Sequence, residues 1–280
     1  MLALPALSPI QKRISLLTLT FFAVLYFTSS AGLNCSNDGS HFALAKSIYY
    51  NHSTEIKPYF NYVKCCDFAE KDGKIYSDRL PGNAFLMLPF LAYSNLLQLI
   101  MPDNSGTDYE ADVVFISLLP NLCGIIGLTF LFLLFRKTGF SFNLSIISTI
   151  IYGIATLQWY ESAHAFSHAP SSMFVAMAVY FTILVKDVRA DQKFIYFSAA
   201  LIGLSTLVEL QNILFLGPIF LYVFILINPS GFLEFNKWVP VMLGSVAVAV
   251  FFVGCLVLYN YITFGEFLLK SKETWLYFFR

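Results

Sequence analysis

The sequence predicts an all-α, polytopic helical membrane protein with about seven transmembrane helices, and three observations carry that prediction. Of the 280 residues, 58% are hydrophobic and 12% are charged, where a soluble domain carries about 25% charged residues. Uncharged runs recur that are long enough to cross a bilayer, which takes roughly 20 apolar residues. Thirty Phe and sixteen Tyr suit a lipid-facing surface with interfacial rings better than a packed soluble core. The net charge of zero supplies no overall field toward nucleic acid, so the expected partners are membrane lipids and not nucleic acid. The five cysteines show no CxxC or Cys/His zinc spacing, and the vicinal pair Cys65-Cys66 is poorly placed to close on itself.

The elements follow in chain order from the stretches between successive charged residues. Lys12 and Arg13 precede the first apolar run, which places the N-terminus in the cytoplasm and the chain after about Ala31 outside. Cleavage after Ser29-Ser30-Ala31 as a signal peptide gives the same sidedness, but the run is longer than the ~7 to 15 residues of an h-region. The segment 82 to 101 carries Gly82, Asn83, Pro89, Asn95 and Gln98. Read as an interfacial helix and not a crossing, it leaves Arg136-Lys137, the cluster Lys186, Arg189 and Lys193, and Lys237 all on the cytoplasmic side. The expected spans are then about 14 to 31, 113 to 135, 142 to 158, 170 to 185, 194 to 209, 211 to 227 and 238 to 258. Between the first two lies an extracytoplasmic loop, 32 to 112, with ten of the seventeen acidic and six of the seventeen basic residues. The whole chain, 1 to 280, reads as a single membrane-embedded module without internal repeats.

That parity places all four histidines, His41, His52, His164 and His168, on the outer face, together with three clusters. In Ser36-Asn37-Asp38-Gly39-Ser40-His41, an aspartate held at the membrane surface can accept a proton from a nucleophile. The alternative, which the residues taken alone favour, is that it caps the helix expected over Phe42 to Tyr50. In Asp72-Gly73-Lys74-Ile75-Tyr76-Ser77-Asp78-Arg79-Leu80-Pro81-Gly82, Asp72-Gly73 marks a turn, and Lys74 with Arg79 offers a phosphate site beside the interfacial helix. In the stretch Trp159 to Ser172, Glu161, His164 and His168 share one face if the stretch is helical, and so suit a divalent metal or a leaving phosphate. Glu209 is the acidic side chain placed within an apolar stretch, where an ionisable group is a functional hypothesis by default.

These features, in this order, resemble the polytopic GT-C glycosyltransferases, in particular the protein O-mannosyltransferase and aminoarabinose transferase group. Asn37-Asp38-Gly39-Ser40-His41 and Asp72 to Gly82 resemble the first-loop motifs of that superfamily, Tyr160 to Ser172 its second loop, and Asn260-Tyr261-Ile262-Thr263-Phe264-Gly265 the segment after its seventh helix. The resemblance implies transfer of a sugar from a polyprenyl-phosphate donor to an acceptor on the extracytoplasmic face of the cell membrane. It implies Asp38 as the catalytic base, Lys74 and Arg79 on the donor phosphate, and Glu161, His164 and His168 at a metal or leaving-group site, with His41, Asp78 and Glu209 as secondary candidates. Members usually continue through further spans where this chain stops at Arg280. The alternatives are a transporter or lipid flippase, expected to carry polar residues at the midplane of broken helices, or a non-catalytic fragment of the enzyme.

Overall fold

Ser8 opens the first helix, α1 (Pro9–Thr28): its hydroxyl accepts the Gln11 N–H, and the Gln11 side chain accepts the Ser8 N–H in return. The computed structural model describes residues 7–100, 111–185, 191–227 and 235–267. Lys186, Arg189 and the chain end at Arg280 lie outside the described residues. After α1 come α2 (Ser36–Asn51), a 3₁₀ segment (Lys57–Tyr62), β1 (Phe68–Lys71), β2 (Lys74–Ser77) and α3 (Gly82–Ile100). The bundle continues as α4 (Ala111–Lys137), α5 (Phe142–Ala155), α6 (Leu157–Ala163), α7 (His168–Leu184) and α8 (Gln192–Val208). A second 3₁₀ segment (Leu210–Phe215) leads to α9 (Leu216–Ile227) and α10 (Phe235–Phe264). The strands form one antiparallel hairpin, Phe68 opposite Ser77 and Lys71 opposite Lys74. Its turn residues Asp72 and Gly73 have φ of 53° and 75°, the left-handed pair that a two-residue Asp-Gly hairpin requires.

Apart from that hairpin the fold is the all-α membrane architecture that the sequence predicts. Helices α1, α4, α5, α7, α8, α9 and α10 alternate in direction between two ends. At one end Phe132 packs on Phe142, Phe181 on Phe194, and Val185, Ile195, Val223 and Val241 cluster together. At the other end the close of α1 pairs with the α6–α7 connection: Ala31 N–H donates to Ala163 O at 2.8 Å and Ala165 N–H to Gly32 O at 3.2 Å. These helices fall in the seven stretches expected as spans, but fewer of them meet the length criterion by themselves. Four helical stretches are long and apolar enough to cross a membrane by themselves: Pro9–Thr28, Gly82–Ile100, Ala111–Lys137 and Val239–Phe264. The pair α5 and α6 makes a fifth if a 61° bend is allowed within it, and α7, α8 and Leu210–Leu226 are shorter.

Helix α3, expected in the interface, thus meets the length criterion for a span. Its contacts, however, run along the first third of α4: Ser94 donates to Asp112, and Tyr93 packs edge-on against Phe115. It therefore leads away from the Phe132–Phe142 end and does not accompany α4 toward it. Its start is pinned by a close approach, since a Cβ on Gly82 would lie 2.5 Å from the carbonyl of Leu207.

The first loop is fastened to the bundle by a buried ion pair. Lys46 of α2 meets Asp112 of α4 at 3.0 Å, with both side chains less than a tenth exposed. Ser94 and Tyr50 donate to the same carboxylate, and the rings of Phe42, Tyr50, Tyr59 and Tyr62 surround the ammonium at 5.3 to 5.7 Å. Neutralising hydrogen bonds and ring faces are what a buried pair needs against its desolvation cost.

Three outcomes check this arrangement. Gly82→Ala lowers the thermal midpoint in detergent although alanine favours a helix interior by about 1 kcal/mol. Gly254→Ala in α10, where nothing lies within 4 Å of the added atom, holds or raises it. Impermeant thiol reagents applied from outside label exposed Cys65 and a Lys74→Cys variant but not Lys137→Cys.

Candidate active site

Asp38 is the third residue of α2 and is fully buried. Its Oδ1 accepts the N–H groups of Cys35 at 2.9 Å and Gly39 at 2.8 Å, and its Oδ2 accepts Asn34 N–H at 2.6 Å. The carboxylate therefore closes the free amide end of α2, the capping role that the sequence offered as the alternative to proton transfer. Oδ2 carries this one bond and keeps a second acceptor position. The neighbouring turn is held by Ser36 and Ser40, whose hydroxyls donate to the carbonyls of Cys66 and Asp67, and by Ser77, 2.7 Å from the Ser40 hydroxyl.

This lacing brings the end of the hairpin against the start of α2. Arg79, just beyond β2, pairs with Asp67 and lies 3.4 Å from Asp78. Burial pushes the Asp78 carboxyl up to about 6 and lowers the Arg79 guanidinium from its ordinary value. Lys74 is not part of this group. It is exposed at the turn end of the hairpin, three residues along the strand from Ser77, which at about 3.3 Å per residue separates it from Arg79 by roughly 10 Å or more. The lysine of this hairpin that reaches the bundle is Lys71, which donates to the Phe264 carbonyl at the end of α10 and lies 3.6 Å from Glu266.

The second loop departs from its expectation. Glu161 lies in α6, His164 is the extended residue after it, and His168 begins α7, so the three do not share a helical face. The physical reason is tertiary: Gly32 pairs with His164 as a parallel bridge, which draws 164 to 167 out of helix. The His164 ring bonds through Nδ1 to the Tyr160 carbonyl at 2.8 Å and lies against the rings of Tyr160 and Phe166. His168 Nδ1 lies 3.3 Å from Glu209 Oε1. Among the described residues no three His, Cys, Asp or Glu side chains are arranged to hold a metal ion. The Nδ1 contacts of both histidines leave their Nε2 atoms uncommitted, but the departure from a common helical face removes the geometry on which the expected metal site rested.

Glu209 sits at the break after α8, at the same end as Asp38. Ser167 donates to its Oε1, and Gln211 donates to its Oε2 at 3.1 Å. Around it the charged groups feel one another: Arg79 and His168 act on His41, Glu209 on Arg79, and His164 and His168 on Glu161. Four buried atoms here have no hydrogen-bond partner within the protein, Asn37 Oδ1, His41 Nδ1, Asn83 Oδ1 and Glu161 Oε2, while Arg79 Nε and Asp78 Oδ1 have only each other, at 3.4 Å. Native buried polar atoms are rarely left so, and four in one neighbourhood suit a polar ligand or water. Asn37, Asn83 and Ser167 are the members that sequence reasoning missed. Asn83, whose amide donates to the Ala165 carbonyl at 3.3 Å, had its signal in being polar at the head of an apolar helix.

His41 yields a pH test. Burial, followed by the positive charge of Arg79, pushes its imidazole from 6.5 down to about 3. The unfolded chain therefore binds the proton first, so the stability held by neutral His41 is complete above about 6.5 and falls as pH drops toward 3. Asp78 has the opposite sign over its smaller displacement, because its protonated form is favoured in the fold. Unfolding followed against pH in detergent should show a shallower acid loss for His41→Gln than for the unmodified chain.

The family model described as the protein O-mannosyl-transferase TMEM260 N-terminal domain matches residues 87–230. That stretch runs from α3 past α9 and includes Glu161, His164, His168 and Glu209, whereas α2 and the hairpin precede it. No curated protein and no solved structure matches the chain. The match extends over more than half of the 280 residues, and the chain belongs to this family of glycosyltransferases.

Proposed function

We propose that the chain transfers a sugar, mannose on the family's description, from a polyprenyl-phosphate donor to a protein hydroxyl at the extracytoplasmic end of the bundle. The observation that carries the reading is the set of unpartnered buried polar atoms gathered where the first loop meets the α6–α7 connection and Glu209. The acceptor oxygen attacks the anomeric carbon, the bond from that carbon to the phosphate oxygen breaks, and polyprenyl phosphate departs. Asp38 takes the acceptor proton through the free position on Oδ2, as the family resemblance implies. Arg79 meets the phosphate, where a guanidinium can bond two oxygens at once. His168, oriented by Glu209 and Ser167, supplies the second positive group when protonated. The sidedness rests on Lys12 and Arg13 lying in the cytoplasm. Lys74 has no part in this reading.

The test is transfer from mannosyl-phosphoryl-polyprenol to a Ser/Thr peptide by the purified full chain. Asp38→Asn should lower turnover by roughly 10²- to 10⁴-fold, while Arg79→Lys mainly raises the donor KM. Glu161→Gln serves as the comparison, because Glu161 Oε2 is a carboxylate oxygen here that is buried without a hydrogen-bond partner. If only Glu161→Gln abolishes transfer, the base is Glu161, and if neither variant matters the reading fails.

A further inference from the structure

A cavity of about 720 Å³ lies between the end of α1, the first third of α4 and the 3₁₀ segment Lys57–Tyr62, and none of the charged residues of the candidate active site lines it. Its size is that of a small-molecule site, for which about 300–1,000 Å³ is usual. Phe27, Leu33, Val113 and Val114 give it apolar walls, and no Asp, Glu, Lys, Arg or His side chain contributes to the lining. An ionic headgroup would find no counter-charge there.

The polar part of the lining is specific. Asn121 Nδ2 donates to the carbonyls of Tyr26 at 3.1 Å and Ser162 at 2.6 Å, which fixes the amide and leaves Oδ1 as an acceptor. That Oδ1 and the hydroxyl oxygen of Ser30, which also lines the cavity, are both buried without a partner. A ligand satisfying Asn121 must donate, so a hydroxyl suits it and an ether or ester oxygen does not. Phe27 and Val114 are exposed by 39% and 43%, and the exposed apolar faces continue from them through Val24 and Phe21 on α1 and Leu122 and Ile126 on α4. Both helices are long and apolar enough to span a membrane, so this seam is where a hydrocarbon chain would lie.

We propose that the cavity binds an uncharged lipid alcohol, its hydroxyl donating to Asn121 Oδ1 with Ser30 beside it and its chain following the α1–α4 seam. This site is independent of the transfer reading and separate from the residues that carry it. The test uses the full chain in phosphatidylcholine nanodiscs with diazirine-bearing geranylgeraniol as the probe and its phosphate ester as the charged control. The expected result is a light-induced adduct within 27–33 or 113–121, formed about tenfold more from the alcohol than from the ester, a ratio equal to about 1.4 kcal/mol. Val114→Trp, at the exposed rim, should reduce it by a similar factor. Ser30→Ala, which removes no bond from the fold, should reduce it several-fold, the scale of one neutral hydrogen bond. Equal labelling by alcohol and ester, adducts scattered along other helices, or labelling indifferent to both variants would overturn the proposal.

Discussion

The docking of α2, α3 and the 3₁₀ segment Lys57–Tyr62 onto the bundle centres on the ion pair between Lys46 and Asp112. It joins α2 to α4, draws in α3 through Ser94, and closes the 3₁₀ segment over the ammonium through Tyr59 and Tyr62. An isolated ammonium or carboxylate at that depth is costly, and removing one partner of a buried pair costs about 3–5 kcal/mol because the other stays behind uncompensated. The pair therefore selects one docking of the loop and penalises others. A loop held only by apolar contacts could slide; one whose charges meet at a single point cannot. Asp38 and His41, on the same helix as Lys46, share that registration.

At the site itself, opposite charges are interleaved and not segregated. Arg79 stands among Asp67, Asp78 and Glu209, and His168 between Glu161 and Glu209. Positive groups embedded among carboxylates are restrained before a ligand arrives, which reduces the reorganisation needed when a phosphate binds. His41 differs, since burial keeps it neutral at physiological pH and its Nδ1 is left free for a hydrogen bond.

Much of this was legible in the sequence because long uncharged runs obey one rule, the length of a membrane crossing. The helix ends around Asp38, the Asp72-Gly73 turn and the gathering of the clusters at one end followed from short-range chemistry and parity. The break between Glu161 and His168 was not legible. Nothing in Ala163 to Ser167 forbids a helix, and the extended backbone arises from pairing with Gly32, far away in sequence. Lys46 and Asp112 were likewise ordinary charges until the fold placed them together. Lys74 and Lys71 show the same limit, since the hairpin register and not the composition decides which lysine reaches α10. Glu209 was legible for the opposite reason, being a carboxylate isolated among apolar neighbours.

The bridge between Gly32 and His164 also sets a schedule for synthesis. The chain emerges N-terminus first, so α2 and the hairpin are made well before the residues they lean on, which lie some 130 positions later in the case of His164 and Glu209. At about 5–20 residues per second, that interval is on the order of ten seconds. During it the amides of Ala31 and the polar face around His41 have only solvent or a chaperone for company. The first loop is thus an early product that matures late, and its biogenesis is bound to the insertion of α7 and α8.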